Sequence, residues 1–359
     1  MNDLQAKRRV LSGMRPTGRL HLGNYMGALY NWVRLQDQYD CFFFIADWHA
    51  LTTDYANPGD VKAKSLDVAM DFLAAGLDPE RSTIFKQSDV PQHAELFLMF
   101  SMFTPLGWLE RVPTYKDQQE QLREKDLATF GFLGYPLLQA ADILLYKPDF
   151  VPVGQDQVSH IELTREVARR FNQLYSSAVT PEVAAAKSDK ELIKAEVSEN
   201  VLETQMLPEP KALLTPSPKL PGTDGRKMSK SYGNTIGLTE APDEVRRKIK
   251  PMVTDPARVR RTDPGNPDVC PVGDLHKVFS TPETMAKVYD GCRTAAIGCI
   301  ECKGWCADSI NREIEPIRER RSSYEARPSM VQEILADGAA RAQRRAGAAM
   351  REIKDAVGI

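Results

Sequence analysis

Two short stretches carry side chains suited to handling phosphate. The first is 12-SGMRPTGRLHLGNYMGAL-29, where Gly13, Pro16 and Gly18 predict a turn and 21-HLGN-24 opens a helix. A small-residue turn running into a helix N-terminus offers free N–H groups and the positive end of the helix dipole to an anion. His21 can donate to phosphate in a developing transition state, and Gly23, without a Cβ, leaves room for a flat base against the backbone. The stretch is neither a GxGxxG nor a Walker A loop, so it signals neither a dinucleotide nor a P-loop site. The second is 226-RKMSKSYGN-234, behind the Gly-rich 221-PGTDG-225. Lys227 and Lys230 on such a loop can follow charge onto a leaving pyrophosphate, which is electrostatic stabilisation aimed at the transition state.

A third set of reactive groups is the cysteines. Five of the six lie at Cys270-x₂₁-Cys292-x₆-Cys299-x₂-Cys302, with Cys306 four residues beyond. A Cys-x₂-Cys pair with two further thiolates is a four-ligand soft-metal site that suits Zn²⁺ or a [4Fe–4S] cluster equally. Cys41, inside the apolar run 41-CFFFIA-46, reads as a small buried hydrophobe.

Elements must hold these groups in place. The 359 residues suffice for two domains. A net charge of −2 excludes a generally basic nucleic-acid coat and leaves a local patch for any such contact. The N-terminal MNDLQAKRRVLSG lacks the apolar core of a signal peptide, and no run approaches the ~20 apolar residues of a membrane span, so the expectation is a cytoplasmic protein with reduced thiols. Strands are expected at Val10–Ser12, Cys41–Ala46, Thr83–Gln87 and Phe150–Val153, alternating with helical stretches such as 25–36 and 60–76. That rhythm predicts an α/β fold with a Rossmann-like parallel sheet. The polar stretch 181–212 reads as an excursion from the core, and from about Glu240 the pattern is helical.

HxGN after the first strand paired with a distant KMSKS is the signature of class I aminoacyl-tRNA synthetases. SGMRPTGRLHLGN, 45-IADWHALT-52, 135-YPLLQAADILLY-146, 151-VPVGQDQVSHIELTREVARRFN-172 and KMSKS occur in that order, and together they resemble bacterial tryptophanyl-tRNA synthetases. The likeness covers nearly the whole chain except the stretch near 181–212. Asn24 stands where the family motif often has His. The resemblance implies a Rossmann-like catalytic domain over 1–236 and an all-helical anticodon-binding domain over 237–359, whose last helix folds back on the first domain. It also implies ATP and L-tryptophan as substrates, Mg²⁺ on the phosphates, tRNA(Trp) as partner and a homodimer. By similarity His21, Asn24, Lys227 and Lys230 are catalytic. Arg15, Pro16, Thr17, Gly23, Gly154, Gln155, Asp156, Met228, Ser229 and Ser231 complete the ATP side. Asp142 is expected to set amino-acid choice, because a carboxylate in an apolar segment needs a donor and the indole N–H is donor-only. Tyr135, Gln139, His49, Val151, Val153 and Gln157 form the remaining wall.

A minority of these synthetases carry a [4Fe–4S] cluster on a closely similar pattern, which implies iron–sulfur at Cys270, Cys292, Cys299 and Cys302, with Zn²⁺ as the alternative. The first spacing here is shorter by one residue, and Cys306 falls outside the pattern. The expected role of the cluster is to pin the loop bearing Arg258, Arg260 and Arg261 toward the anticodon. Three rival functions stand beside the ligase. Tyrosyl-tRNA synthetases share the fold and the Tyr135-x₃-Gln139-x₂-Asp142 spacing. A catalytically silent RNA-binding relative has no need of both phosphate motifs. An iron–sulfur electron carrier fits poorly with a single cluster site in so large a domain.

Overall fold

The computed structural model describes residues 7–113, 128–176, 205–214 and 220–359; the side chain of Asp156 and residues 181–204 of the expected excursion lie outside the described residues. Five strands form one sheet in the order β3-β2-β1-β4-β5. They are β1 (Arg9–Met14), β2 (Asp40–Ile45), β3 (Ser82–Lys86), β4 (Phe150–Val153) and β5 (Lys211–Leu214). Every pairing is parallel, with Val10 opposite Cys41 and Cys41 opposite Ser82. Parallel strands buried on both faces need apolar residues at successive positions. β2 shows this: Cys41, Phe43 and Ile45 enter one core, Phe42 and Phe44 the other.

The expected strands are all present, but β5 was not foreseen. It lies at the end of the stretch read as an excursion, so residues 205–214 belong to the core rather than outside it. Leu207 is buried and tied at both ends to Asn172, which receives its N–H at 3.0 Å and donates to its carbonyl at 2.8 Å. A four-residue edge strand, KALL, with Lys211 and Leu214 exposed, leaves no alternating pattern to read.

Helices cover both faces. On one lie a first helix running from Leu22 through a π-helical turn at Tyr25–Leu29 to Leu35 (α1), and Val61–Ala75 (α3). Trp32 of α1 stacks on Phe43 with centroids 4.8 Å apart. The short Asp47–Asp54 (α2) follows β2. On the other face lie Gln92–Ser101 (α4), Tyr135–Leu145 (α7) and Val158–Tyr175 (α8). Between α4 and α7 come Leu106–Glu110 (α5) and Phe130–Leu133 (α6).

After Pro242 the described chain is helical, as expected: Pro242–Ile249 (α9), Pro271–Phe279 (α10), Pro282–Arg293 (α11), Cys299–Glu325 (α12) and Pro328–Val357 (α13). α12 buries Ile310, Ile314 and Ile317 in the same core as α3. α13 does fold back on the sheet, where it covers the open edge of β3. A Cβ at Gly338 would lie 1.8 Å from the Ile84 carbonyl oxygen and 3.3 Å from its nitrogen, so the backbone of that edge residue lies directly against the helix. Arg341 caps neighbouring carbonyls of Pro79 at 2.7 Å and Ser82 at 3.3 Å. Covering an edge in this way removes a template for unwanted strand pairing. Among the described residues no helix is long and apolar enough to cross a membrane.

Because the neighbour is backbone rather than a pliable side chain, Gly338→Ala should force α13 outward. The expected loss is about 3 kcal/mol of unfolding free energy, read from urea denaturation.

Candidate functional site

The strand order reverses direction between β1 and β4, and the crevice beyond the carboxyl ends of such neighbours is where open α/β sheets bind ligands. Both sequence motifs arrive there. After Met14 the chain turns through Arg15, Pro16 and Thr17, and His21 caps α1. His21 Nδ1 accepts the Gly23 N–H at 3.1 Å while Asn24 Oδ1 accepts the His21 N–H at 3.2 Å, a reciprocal capping box. With Nδ1 accepting, the proton sits on Nε2, which is left as a donor. Burial, and next the charge of Lys230, push the imidazole down to about 4, so it is neutral near pH 7. A Cβ at Gly23 would come within 2.9 Å of this ring, so the bare Cα there serves the His21 imidazole.

The KMSKS segment is laced to the same turn. Leu22 N–H donates to Ile236 O at 2.9 Å and Leu238 N–H to Leu20 O at 3.0 Å. Met228 is buried in the core, and Asn234 holds the loop by accepting Ser229 N–H at 2.8 Å and donating to Asp224 at 2.7 Å. Ser229 and Ser231 hydroxyls meet at 2.8 Å. Lys230 Nζ donates to Thr17 O at 2.7 Å and Gly18 O at 3.0 Å. Lys227 is exposed.

Beside this turn a cavity of about 240 Å³ opens between β1, β4 and α7. Its lining includes Arg15, His49, Tyr135, Gln139, Asp142, Val151, Val153, Gly154 and Gln157. Gln155 is exposed and is not part of this wall. Asp142, fully buried inside α7, accepts His49 Nε2 at 2.7 Å through Oδ2. Its Oδ1 accepts from Gln87 Nε2 at 2.7 Å and His93 Nδ1 at 2.6 Å. Burial alone raises a carboxyl, yet here His93 and His49 outweigh it and hold Asp142 below its usual range, hence ionised. His93 is itself fixed from behind by Tyr146 OH at 2.9 Å. The rings of His49 and Tyr135 meet edge to face at 4.5 Å, and His160 positions Gln139 at 2.5 Å. Gln87, His93, Tyr146 and His160 were missed by the sequence reading. Gln87 alone carried a signal, since it follows directly on a parallel strand.

The cysteines group away from this crevice. Cys302 is pushed up to about 12, first by burial and then by its neighbours Cys270, Cys292 and Cys299. Cys306 is wholly buried within the apolar core. Among the described residues no three or more His, Cys, Asp or Glu side chains stand arranged to hold a metal ion. Arg258 does not face outward with Arg260 and Arg261. It turns inward, donating to Ile297 O at 2.6 Å, Arg261 O at 3.0 Å and the Cys292 sulfur at 3.7 Å.

The neutral His21 has a consequence for stability. Its folded pKa lies below the usual 6.5, so the stability it contributes is full above that value and is lost as pH falls toward about 4. In matched urea titrations, wild type should lose more stability than His21→Gln across that interval; equal losses would contradict a buried neutral ring.

Comparison with known proteins agrees with this geometry. The family of class I tRNA synthetases (W and Y) matches residues 3–315. A tryptophan–tRNA ligase of Ralstonia nicotianae is 51% identical, with 98% of each chain covered. One from Thermotoga maritima is 49% identical over 98% of this chain and 99% of its own. Among solved structures, tryptophanyl-tRNA synthetase of Campylobacter jejuni complexed with ADP and tryptophan superimposes with a TM-score of 0.82 at 32% identity, covering 98% of this chain and 100% of that one. The paired phosphate motifs, the sheet that brings them together and these likenesses lead to one conclusion: the chain belongs to the class I tRNA synthetases of the tryptophan and tyrosine group.

Proposed function

We propose that the protein joins L-tryptophan to tRNA(Trp) through a tryptophanyl-adenylate, with ATP as the second substrate and pyrophosphate as leaving group. The observation that carries this reading is the meeting of His21 and Lys230 at the β1/β4 crevice, beside a cavity walled by an ionised, buried Asp142. The tryptophan carboxylate attacks the α-phosphorus in line and the bond to pyrophosphate breaks. A ribose hydroxyl of the tRNA end then takes the acyl group and AMP leaves. No covalent enzyme intermediate is needed, so positioning and charge carry the rate. His21 Nε2–H and the exposed Lys227 are free to meet phosphate oxygens. Lys230 rests on uncharged carbonyls, which a phosphate anion displaces. Mg²⁺ arriving with ATP would supply positive charge against the phosphates. Arg15, Pro16, Thr17, Gly23, Asn24 and Gly154, with Gln155 and Asp156, frame the ATP side in this reading.

Asp142 suits the indole N–H. Oδ1 already accepts two donors, whereas Oδ2 accepts only His49 among the described residues and retains a lone pair. A phenol hydroxyl fits the same lone pair; the relatives named tryptophan–tRNA ligase favour the indole.

Residues 237–359 read as the anticodon-binding domain, with exposed Arg260 and Arg261 beside the cysteines. Cys270, Cys292, Cys299 and Cys302 are assigned a [4Fe–4S] cluster. Their support is the Cys-x₂-Cys pair with two further thiols in the sequence and the Arg258 donor on Cys292, which suits a thiolate sulfur. A cluster would supply the positive charge that lets four thiols ionise together, and Zn²⁺ is the competing occupant. Exposed Leu98, Met102, Leu106 and Phe130 on and beside α4–α6 support a homodimer.

Three results test these assignments. Purified protein should charge tRNA(Trp) with labelled tryptophan, and Lys230→Ala should lower kcat about 10²–10³-fold with the tryptophan KM little changed. Asp142→Asn should cut kcat/KM for tryptophan about 10–100-fold, the worth of a charged hydrogen bond. Anaerobically purified protein should contain iron and absorb in the visible, and Cys299→Ser should abolish both; stoichiometric zinc in a colourless protein would give the site to the other metal.

A further inference from the structure

The turn that presents His21 is held from behind by a carboxylate outside the reaction. Asp71 of α3, fully buried, accepts the Leu20 N–H through Oδ2 at 2.7 Å. Its Oδ1 accepts from Arg321 Nη1 at 2.6 Å, and Arg321 belongs to α12, 250 residues further along the chain. Arg321 is 2% exposed, one of the largest fully buried side chains among those described. Its other bonds complete the lock: Nη1 also reaches Asp67 O at 2.6 Å, Nη2 reaches Asp67 Oδ1 at 2.5 Å, and Nε reaches Glu325 Oε1 at 3.1 Å. Glu325 accepts from Arg19 Nη2 at 2.8 Å. Helix α12 thus touches the phosphate turn twice, at Arg19 through Glu325 and at Leu20 through Arg321 and Asp71.

The same carboxylates act on the second motif. Burial holds the Lys230 ammonium below its ordinary range, and Asp71 and Asp67 are the charges that oppose this, while its Nζ sits on the carbonyls of Thr17 and Gly18. A carboxylate with both oxygens engaged in a dry interior has little freedom, so the backbone it anchors is fixed as well. Helix α12 also begins at Cys299 and carries Cys302.

We propose that Asp71 and Arg321 are positioning residues for the ATP side of the site, coupling the seating of α12 on α3 to the placement of His21 and Lys230. Neither side chain lines the cavity. They act through the Leu20 amide and through the field at Lys230. The proposal rests on the reading of the crevice as an ATP site.

The test separates positioning from mere stability. Asp71→Asn keeps a carbonyl acceptor and removes the charge; Arg321→Met removes the fork and keeps most of the bulk. In pyrophosphate exchange each should raise the KM for ATP about tenfold while the KM for tryptophan moves less than about twofold. The double variant should show no more than the larger single effect, since both act on one linkage. Arg321→Lys, able to reach Asp71 but not the whole fork, should fall between wild type and Arg321→Met, and serves should either severe variant fail to fold. Melting temperatures are recorded for all. Lowered melting with an unchanged KM for ATP, or a parallel rise of both KM values, overturns the proposal. If wild type shows no tryptophan-dependent exchange, the functional reading fails instead, and the ATP-induced shift in melting temperature still reports whether the variants weaken ATP binding.

Discussion

The structure depends on one constraint: a parallel sheet must be covered on both faces and finished at its edges. Helices α1 and α3 cover one side, α4, α7 and α8 the other. The helical C-terminal region adds to both, since α12 packs on α3 and α13 covers β3. Gly338 shows how close the fit is, with the Ile84 carbonyl where a side chain would begin. The crevice at the carboxyl ends of β1 and β4 stays open, and the chemistry gathers there.

That openness has an electrostatic counterpart. The crevice holds a neutral His21, a lysine resting on carbonyls and, deeper, an ionised Asp142 kept charged by two histidines. In the proposed reading, positive and donor groups face the phosphate side, and a negative acceptor faces the amino-acid side. The separation suits two substrates of opposite need lying side by side. Buried ion pairs contribute little net stability when their desolvation is counted, and the geometry they fix matters more. Asp142 and Asp71 both fit that description.

What could be read from sequence was what local residue types determine. The turn-and-cap stretch around HLGN and the apolar β2 appear as expected, while the fold-back of the last helix was implied by the family resemblance and not by local residue types. What could not be read depends on contacts between distant segments. Gln87, His93 and Tyr146 support Asp142 through space, and nothing in their neighbourhoods marks them as a set. Strand β5 is defined by backbone pairing to β4, not by its KALL sequence. Arg258, expected at an RNA surface beside Arg260 and Arg261, turns inward because carbonyls and a sulfur wait there. The Asp71–Arg321 pair joins two helices whose sequences each look ordinary.

The central claim is that this crevice activates tryptophan. Its most direct test is amino-acid-dependent exchange of labelled pyrophosphate into ATP, run with each of the common amino acids separately. The account predicts exchange with tryptophan and a far weaker signal with tyrosine and the rest. Exchange driven by tyrosine but not tryptophan, or none with any amino acid, would contradict it.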